Sequence, residues 1–311
     1  MTLQKQKQMH QNKQKNTNRH QPVLLEEVLT YLAPQKGNSY LDVTAGYAGH
    51  ASQVLARTQS PEKTVLVDRD AEAIEYLKAK CDNAVQLLHT DFLTAAKQLN
   101  EEGKRFDCIL ADLGVSSPHL DKASRGFSVQ VDEPLDMRMD QRQTLTAADI
   151  LNSYGEAELI KLLRDYGEEP KAVRIAKRII ERRPITSTKQ LAAIATSVWG
   201  RGKKHPATRT FQALRIAVND EVGLLKTALP IWLDMLQPGG RLAIISFHSL
   251  EDRIVKQAFA ERSGKRYDAQ LKLLTKKPVT ARQEELVFNP RARSAKLRAA
   301  AKINTKKLED Q

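Results

Sequence analysis

The stretch SYLDVTAGYAGH at residues 39–50, followed by TVLVDRD at residues 64–70, decides the fold of this chain. A short apolar run ends in an acid, Asp42, and is followed by a turn of small residues and a helical pattern. A second apolar run then ends in another acid, Asp68. Strand, tight turn, helix, strand and acid in this order predict the first half of a nucleotide-binding α/β sheet.

The turn has the spacing G-x-x-G, from Gly46 to Gly49, and not the G-x-G-x-x-G of a dinucleotide site. Glycines there let a ligand approach the backbone, although a purely structural turn would have the same composition. Asp42 precedes the turn and favours S-adenosylmethionine, because this molecule has no pyrophosphate but carries an amino-acid end and an adenosine. Asp68 can accept hydrogen bonds from two ribose hydroxyls.

The composition is that of a protein that buries a core, with 41% hydrophobic residues among 311. No apolar run approaches the ~20 residues of a membrane span, and the N-terminus has no apolar segment typical of a secretory signal. Cys81 and Cys108 are too few for a disulfide framework and too far apart for a C-x-x-C site. We therefore expect a cytoplasmic protein with no membrane partner.

Positive charge is concentrated at the two ends of the chain. Residues 1–20 contain five Lys/Arg and no acidic residue, and residues 262–311 contain fourteen Lys/Arg against five acidic residues. Residues 1–18 are rich in Gln, Lys and Asn, which predicts a disordered basic tail. A nearly neutral body with basic ends is typical of a nucleic-acid binder whose termini contact phosphates, although such tails can also serve solubility alone.

Strand and helix patterns alternate up to Asp112, which predicts a doubly wound sheet of parallel strands. Ligands of such sheets bind beyond the carboxyl ends of the strands. Asp42, Asp68, Phe92 and Asp112 all fall at or just past those ends. Four separate segments therefore point to one binding crevice.

The pattern changes in residues 120–208, where a loop and several helical segments occur without a convincing strand. This predicts a helical insertion into the sheet domain. A long helix is then expected over residues 210–236, kinked or broken at Pro230, followed by a turn at the PGG sequence and a strand over residues 241–246. The last part of the chain is expected to add an antiparallel hairpin at the sheet edge.

With these segments placed, the sequence closely resembles the MraW family of S-adenosylmethionine-dependent methyltransferases, which modify the exocyclic N4 amine of one cytosine in 16S small-subunit ribosomal RNA. The resemblance covers about residues 20–300 and rests on these motifs: HQPVLLEEV, D-x-T-x-G-x-x-GH, DLGVSSP, RGFS, PLDMRMD, YGEE, HPATRTFQALRIAVN, PGGRLAIISFHSLEDR and NPRARSAKLRAA. It implies a Rossmann-like class I methyltransferase sheet formed by residues 19–119 and 209–311, with an inserted helical RNA-recognition domain at residues 120–208.

The resemblance also implies which residues contact the cofactor: Ala48, Gly49, His50, Asp68, Phe92, Asp112 and His119. The chain departs from the family at three positions. Val43 and Ala48 stand where the family usually has Gly, and His119 where it usually has Gln. If Val43 or Ala48 requires a positive φ, the side chain costs on the order of 1 kcal/mol. Phe92 could be an adenine wall or core, and His50 could simply pack at its helix.

A cytosine amine is a poor nucleophile because its lone pair is delocalised into the ring, so acceptors on its N–H bonds should assist methyl transfer. The loop DLGVSSP occupies the position of the D/N/S-P-P-aromatic motif of amino-methyltransferases, although it is not that motif. Asp112, Ser116 and Ser117 are therefore candidate catalytic residues. His248, which follows a later strand, is a candidate general base or only a loop hydrogen-bond partner.

The expected partner is 16S rRNA, within the small ribosomal subunit, and the target base would have to leave its stack. The helical insertion should dock the RNA through the following basic residues: Arg125, Arg138, Arg142, Arg201, Lys203, Lys204 and Arg209. The seven His residues show no metal-ligand spacing. A homodimer is left open. The alternatives are a non-catalytic RNA-binding assembly factor with a relict cofactor fold and, disfavoured by its glycine spacing, a nicotinamide dehydrogenase.

Overall fold

The computed structural model describes residues 22–114, 125–200, 205–264 and 269–303. The expected basic tail at residues 1–18 lies outside these ranges. So do three predicted site residues, Ser116, Ser117 and His119. Their assignments stay predictions.

A seven-stranded sheet forms the centre of the described chain. Its strands are β1 (Tyr40–Asp42), β2 (Thr64–Asp68), β3 (Gln86–His89), β4 (Phe106–Asp112), β5 (Leu236–Ser246), β6 (Leu271–Leu273) and β7 (Lys296–Lys302). They lie in the order β3-β2-β1-β4-β5-β7-β6. The first five are parallel, and β7 runs antiparallel between β5 and β6. The expected antiparallel edge is therefore present.

Helices cover both faces of the sheet. One face carries α1 (Leu25–Leu32), α2 (Gly49–Thr58) and α3 (Ala71–Lys80), and the other carries α4 (Phe92–Glu101), α10 (Glu221–Asp234) and α11 (Ser249–Glu261). A short helix, α12 (Gln283–Phe288), precedes β7.

Strand side chains alternate between these faces, because successive Cβ atoms of a strand point in opposite directions. Leu66 and Leu110 pack against α1–α3, whereas their neighbours Val67 and Ile109 pack against the opposite layer. Within the described residues, no helix is both long and apolar enough to cross a membrane.

The remaining helices form a second apolar core. They are α5 (Ala147–Ser153), α6 (Glu156–Asp165), α7 (Ala172–Glu181), α8 (Thr188–Trp199) and α9 (Thr208–Asn219). The predicted Rossmann-like sheet with a helical insertion is therefore confirmed. The boundary at residue 208 stays a prediction, and α9 places Phe211 and Leu214 in the helical core.

The single helix expected over residues 210–236 is wrong. The chain breaks at Asp220, whose φ of 45° ends α9 and starts α10, and not at Pro230, which lies inside α10. The Asp220 N–H donates to Ile216 O, and its own carbonyl accepts from Leu224 N at 3.0 Å. One residue in the left-handed conformation thus ends one helix and begins the next, and no local sequence rule predicts this.

The turn expected at PGG is an irregularity within β5. Phe106 of β4 pairs with Leu236, but two residues later Cys108 pairs with Arg241. The extra residues bulge between these pairs, and Gly239 takes a φ of 83° there. The strand therefore begins five residues before the predicted start at Arg241.

Candidate active site

A crevice of about 2680 Å³ opens at the carboxyl ends of the parallel strands, between the sheet and the helical insertion. Pockets for single small molecules commonly occupy about 300–1,000 Å³. The crevice therefore has room for a cofactor together with part of a larger substrate.

The turn between β1 and α2 forms one wall of this crevice. Ala48 has a φ of 60°, whereas Val43 has no positive φ. Of the two departures from glycine, only Ala48 is therefore strained. Gly49 is required for a different reason, since a Cβ there would lie 2.9 Å from Pro22 Cγ.

Asp68 connects this turn to β2. Its Oδ2 accepts a hydrogen bond from Gly46 N and its Oδ1 accepts one from Asp70 N, each at 2.8 Å. A carboxylate oxygen can accept more than one hydrogen bond, and Asp68 lines the crevice. Asp68 can therefore hold the turn and contact a ribose at the same time.

Phe92 begins α4 and is 8% exposed. Its ring packs edge-on against Trp232, with 5.4 Å between the centroids, and it also lines the crevice. The side chain is thus core on one side and wall on the other, which accommodates both interpretations of the sequence.

Two carboxylates occupy the ends of neighbouring strands β1 and β4. Burial raises the pKa of Asp42 to about 6, although hydrogen bonds from Tyr40 Oη and Thr44 N oppose this rise. Burial, followed by the charges of Asp42 and Glu251, raises the pKa of Asp112 well above its usual value. Asp112 Oδ1 is buried and has no hydrogen-bond partner within the described residues.

His50 lies beside Asp112 in the first turn of α2 and is 6% exposed. Its Nε2 is 2.9 Å from Val23 O. Because a carbonyl only accepts, Nε2 must carry the proton, and in the neutral ring Nδ1 then has the lone pair. Nδ1 lies 3.6 Å from Asp112 Oδ2. The imidazole therefore lies directly beside the carboxylate of Asp112.

His248 caps α11 and is buried with two glutamates. Its Nδ1 accepts from Glu251 N at 3.4 Å, and its Nε2 lies 3.2 Å from Glu251 Oε1 and 4.0 Å from Glu221 Oε2. Arg215 binds both oxygens of Glu221 at 2.9 Å. Burial acts to raise the pKa of Glu251, but His248 and Arg215 hold it below its usual value. A base role for His248 Nδ1 would require release of the helix cap.

Glu221, His248 and Glu251 also bring three metal-ligating atoms within 4.8 Å of one another. The spacing of histidines in the sequence gives no sign of this group, since its members come from α10 and the start of α11. The guanidinium of Arg215 already occupies both oxygens of Glu221, so it provides the positive charge that a cation would supply.

The helical insertion meets the sheet layer across the crevice at Glu168. Its Oε1 accepts from Arg253 Nη2 at 2.8 Å, and its Oε2 accepts from Ser249 Oγ. Glu168 takes a φ of 45° to do so. Residues of the YGEE motif therefore connect the two walls, a role that the sequence alone did not indicate.

The predicted RNA-docking side chains differ in what they contact. Arg125 donates to backbone carbonyls, and Arg138 and Arg142 pair with Asp136 and Asp140 within the same loop. Arg209 lines the crevice. The other three, Arg201, Lys203 and Lys204, lie outside the described residues.

Comparison with known proteins gives a consistent result. The model of the MraW methylase family matches residues 17–303. Ribosomal RNA small subunit methyltransferase H of Heliobacterium mobile is 46% identical over 312 residues, covering 91% of this chain and 99% of its own length. The protein of the same name from Trichormus variabilis is 49% identical over 290 residues, covering 91% of this chain and 92% of its own length.

Proposed function

The chain belongs to the MraW methylase family, and from this premise we propose that it transfers a methyl group from S-adenosylmethionine to the exocyclic N4 amine of a cytosine in 16S small-subunit rRNA. Membership agrees with the S-adenosylmethionine-dependent methyltransferase expected from the sequence. The relatives that it resembles over 91% of its length carry the name of a small-subunit rRNA methyltransferase. A ribosomal substrate would place the activity in the cytoplasm.

The observation that carries the proposal is the buried Oδ1 of Asp112, which has no hydrogen-bond partner within the described residues and belongs to a side chain that lines the crevice. A buried acceptor without a donor is costly, so such an atom needs a partner from a ligand. The amine of cytosine is an N–H donor, and carboxylates accept from it. The adenine amine of the cofactor is the other donor that would fit.

The described residues fit S-adenosylmethionine. Asp68 faces the crevice beside the turn that holds Ala48, Gly49 and His50, and Phe92 offers a flat apolar surface. When bound, S-adenosylmethionine supplies a methyl group on a positively charged sulfur. The carboxylate of Asp42, at the end of β1, would offset positive charge nearby.

Asp112 would act on the target amine. Accepting a hydrogen bond from the amine localises the nitrogen lone pair, and the carboxylate can take the proton as the new N–C bond forms. Its raised pKa makes it a stronger base than an ordinary aspartate. His50 Nδ1 lies 3.6 Å from Asp112 Oδ2, so the imidazole adjoins the carboxylate that takes this proton. Ser116 and Ser117 remain candidate acceptors for the second N–H bond.

Positioning carries the rest of the reaction, because a displacement at the methyl group requires the two reactants in line. The Arg215, Glu221 and Glu251 network holds His248 and the start of α11 at the crevice. Glu168 holds the insertion against α11. The target base would enter between these walls after leaving its stack.

The proposal is tested by nucleoside mass spectrometry of 16S rRNA from cells that lack the gene. We expect one N4-methylated cytosine to disappear, to return with the wild-type gene and not to return with Asp112→Asn. Asp165→Asn is the matched control, since its carboxylate forms only an exposed pair with Lys161. A methylation pattern that is unchanged by loss of the gene would favour the non-catalytic assembly factor.

A further inference from the structure

We infer that α12 carries a stacking platform for an unpaired base of the RNA substrate, formed by Phe288 at the mouth of the crevice. This inference rests on the proposed RNA substrate. Phe288 and Val287 are 61% and 84% exposed, more than any other large hydrophobic side chain in the described residues. Phe288 also lines the crevice.

The platform is held rigidly although its apolar side chains are exposed. Glu285 Oε1 accepts from Leu24 N at 2.9 Å, and Asn289 N donates to Glu285 O at 2.7 Å. Asn289 is 8% exposed and Ala292 is fully buried. Because the backbone that carries the Phe288 ring is already anchored, binding of a base costs less conformational entropy than it would at a loose chain end.

Two consecutive residues connect this platform to the floor of the crevice. Val23 O accepts from the His50 ring, and Leu24 N donates to Glu285 of α12. Phe288 therefore lies on the same rim as the turn that contains His50. A base flipped toward Asp112 leaves its neighbours in the strand without a stacking partner, and an aromatic ring at the rim can replace that partner.

Two arginines just after α12 favour RNA as the occupant, and the exposed acidic residue Glu284 lies at the opposite end of the helix from Phe288. Arg293 is exposed, Arg291 lines the crevice, and both follow Phe288 within five residues. The chain's own first 20 residues contain five Lys/Arg and no acid, so they would bring like charge to this rim. A single-stranded polyanion with planar bases matches both the ring and the arginines.

The test measures binding of the full chain to a single-stranded RNA that contains the target cytosine, with fluorescent 2-aminopurine next to it. We expect Phe288→Ala and Phe288→Leu to weaken binding by about tenfold, within the 1–3 kcal/mol typical of one stacked base, and Phe288→Trp to restore it. The quenching of 2-aminopurine by the wild type should be lost in the first two variants. Affinity for S-adenosylmethionine should not change.

Two controls separate stacking from charge and from a general surface effect. Val173→Ala, at a 37% exposed position on α7, should bind RNA as the wild type does. Arg293→Gln should reduce the slope of log affinity against log salt by about one, whereas Phe288→Leu should leave that slope unchanged.

Three results would overturn the inference. In the first, Phe288→Leu binds RNA as tightly as wild type and quenches 2-aminopurine equally. In the second, Phe288→Ala dissociates a dimer in sedimentation, which would assign the platform to a second copy. In the third, Phe288→Ala makes residues 1–21 more sensitive to protease in the absence of RNA, which would assign the platform to the chain's own N-terminal segment. Failure of the wild type to bind the RNA at all would instead count against the proposed function.

Discussion

Replacing Asp42 with Asn should change how the stability of the protein depends on pH. The folded protein raises the pKa of this carboxyl from 3.8 to about 6, chiefly by burial. The folded state thus binds the proton more tightly than the unfolded state does. Stability must therefore fall as pH rises between about 4 and about 6 and then level off. A rise from 3.8 to about 6 corresponds to about 3 kcal/mol of lost stability.

Asp42→Asn removes this titration and keeps the shape of the side chain. The amide oxygen can accept from Thr44 N and Thr44 Oγ1, and the amide NH₂ can donate to Tyr40 Oη, which are the groups that Asp42 contacts. We therefore expect the free energy of unfolding of the variant, relative to wild type, to increase by about 2 kcal/mol between pH 4 and pH 7, because part of the change lies below pH 4. Burial, the largest cause of the raised pKa of Asp112, persists in both proteins, whereas the variant removes the contribution of the Asp42 charge.

Urea unfolding followed by tryptophan fluorescence at several pH values provides the measurement. The control Asp165→Asn should run parallel to wild type over the whole range, because it alters only an exposed ion pair. Parallel curves for Asp42→Asn as well would mean that Asp42 is ionised without cost, and the account of this buried carboxylate would be wrong. The same variant should bind S-adenosylmethionine more weakly, which would explain why a destabilising charge occupies this position.

Three further predictions concern other parts of the site. Asp68→Ala should weaken S-adenosylmethionine binding by about 1–3 kcal/mol in a protein that remains folded; unchanged affinity in calorimetry would remove Asp68 from the site. Ala48→Gly should raise the free energy of unfolding by about 1 kcal/mol, because glycine adopts a φ of 60° without strain. The control Ala79→Gly, within α3, should lower the free energy of unfolding. A lower free energy of unfolding in both variants would contradict the strain at Ala48. Deleting residues 1–18 should reduce the salt dependence of RNA binding without changing cofactor affinity, and an identical salt slope would make the tail a solubility segment.

Local sequence rules predict much of the fold correctly, because the signals lie within a few residues of each other. Asp70 caps α3 and Ser187 caps α8, as their positions before apolar helical runs indicate. The same rules fail at Pro230, where the helix continues, and at Asp220, where it breaks. In that region the helix ends where the chain passes from the helical core to the core of the sheet domain. The identity of a single proline or aspartate does not indicate this position.

The candidate site likewise contains some contacts that the sequence predicts and others that it does not. The carboxyl ends of the parallel strands β2 and β4 bring Asp68 and Asp112 to the crevice, and Asp42 lies buried at the end of β1 between them. Sheet topology alone predicts the proximity of these three residues. Arg215 of α9 pairs with Glu221 at the start of α10, and Glu221 lies near His248 because α10 packs on the sheet. No spacing in the sequence reveals that contact. The left-handed conformation of Ala48 could be predicted only in part. The family resemblance indicates two positions that usually carry glycine, and the structure shows that only Ala48 has a positive φ.

The most direct test of the account is methyl transfer by the purified chain from S-adenosylmethionine with an isotopically labelled methyl group to 16S rRNA in small subunits. We predict that mass spectrometry will find the label on the N4 amine of a single cytosine. A label on the ring carbon would contradict the mechanism, because that reaction needs a cysteine nucleophile. Burial raises the pKa of Cys108 to about 12 within β4 and also raises the pKa of Cys81, so neither cysteine is an activated thiolate. Binding of both substrates with no methyl transfer would equally contradict the proposed methyltransferase activity.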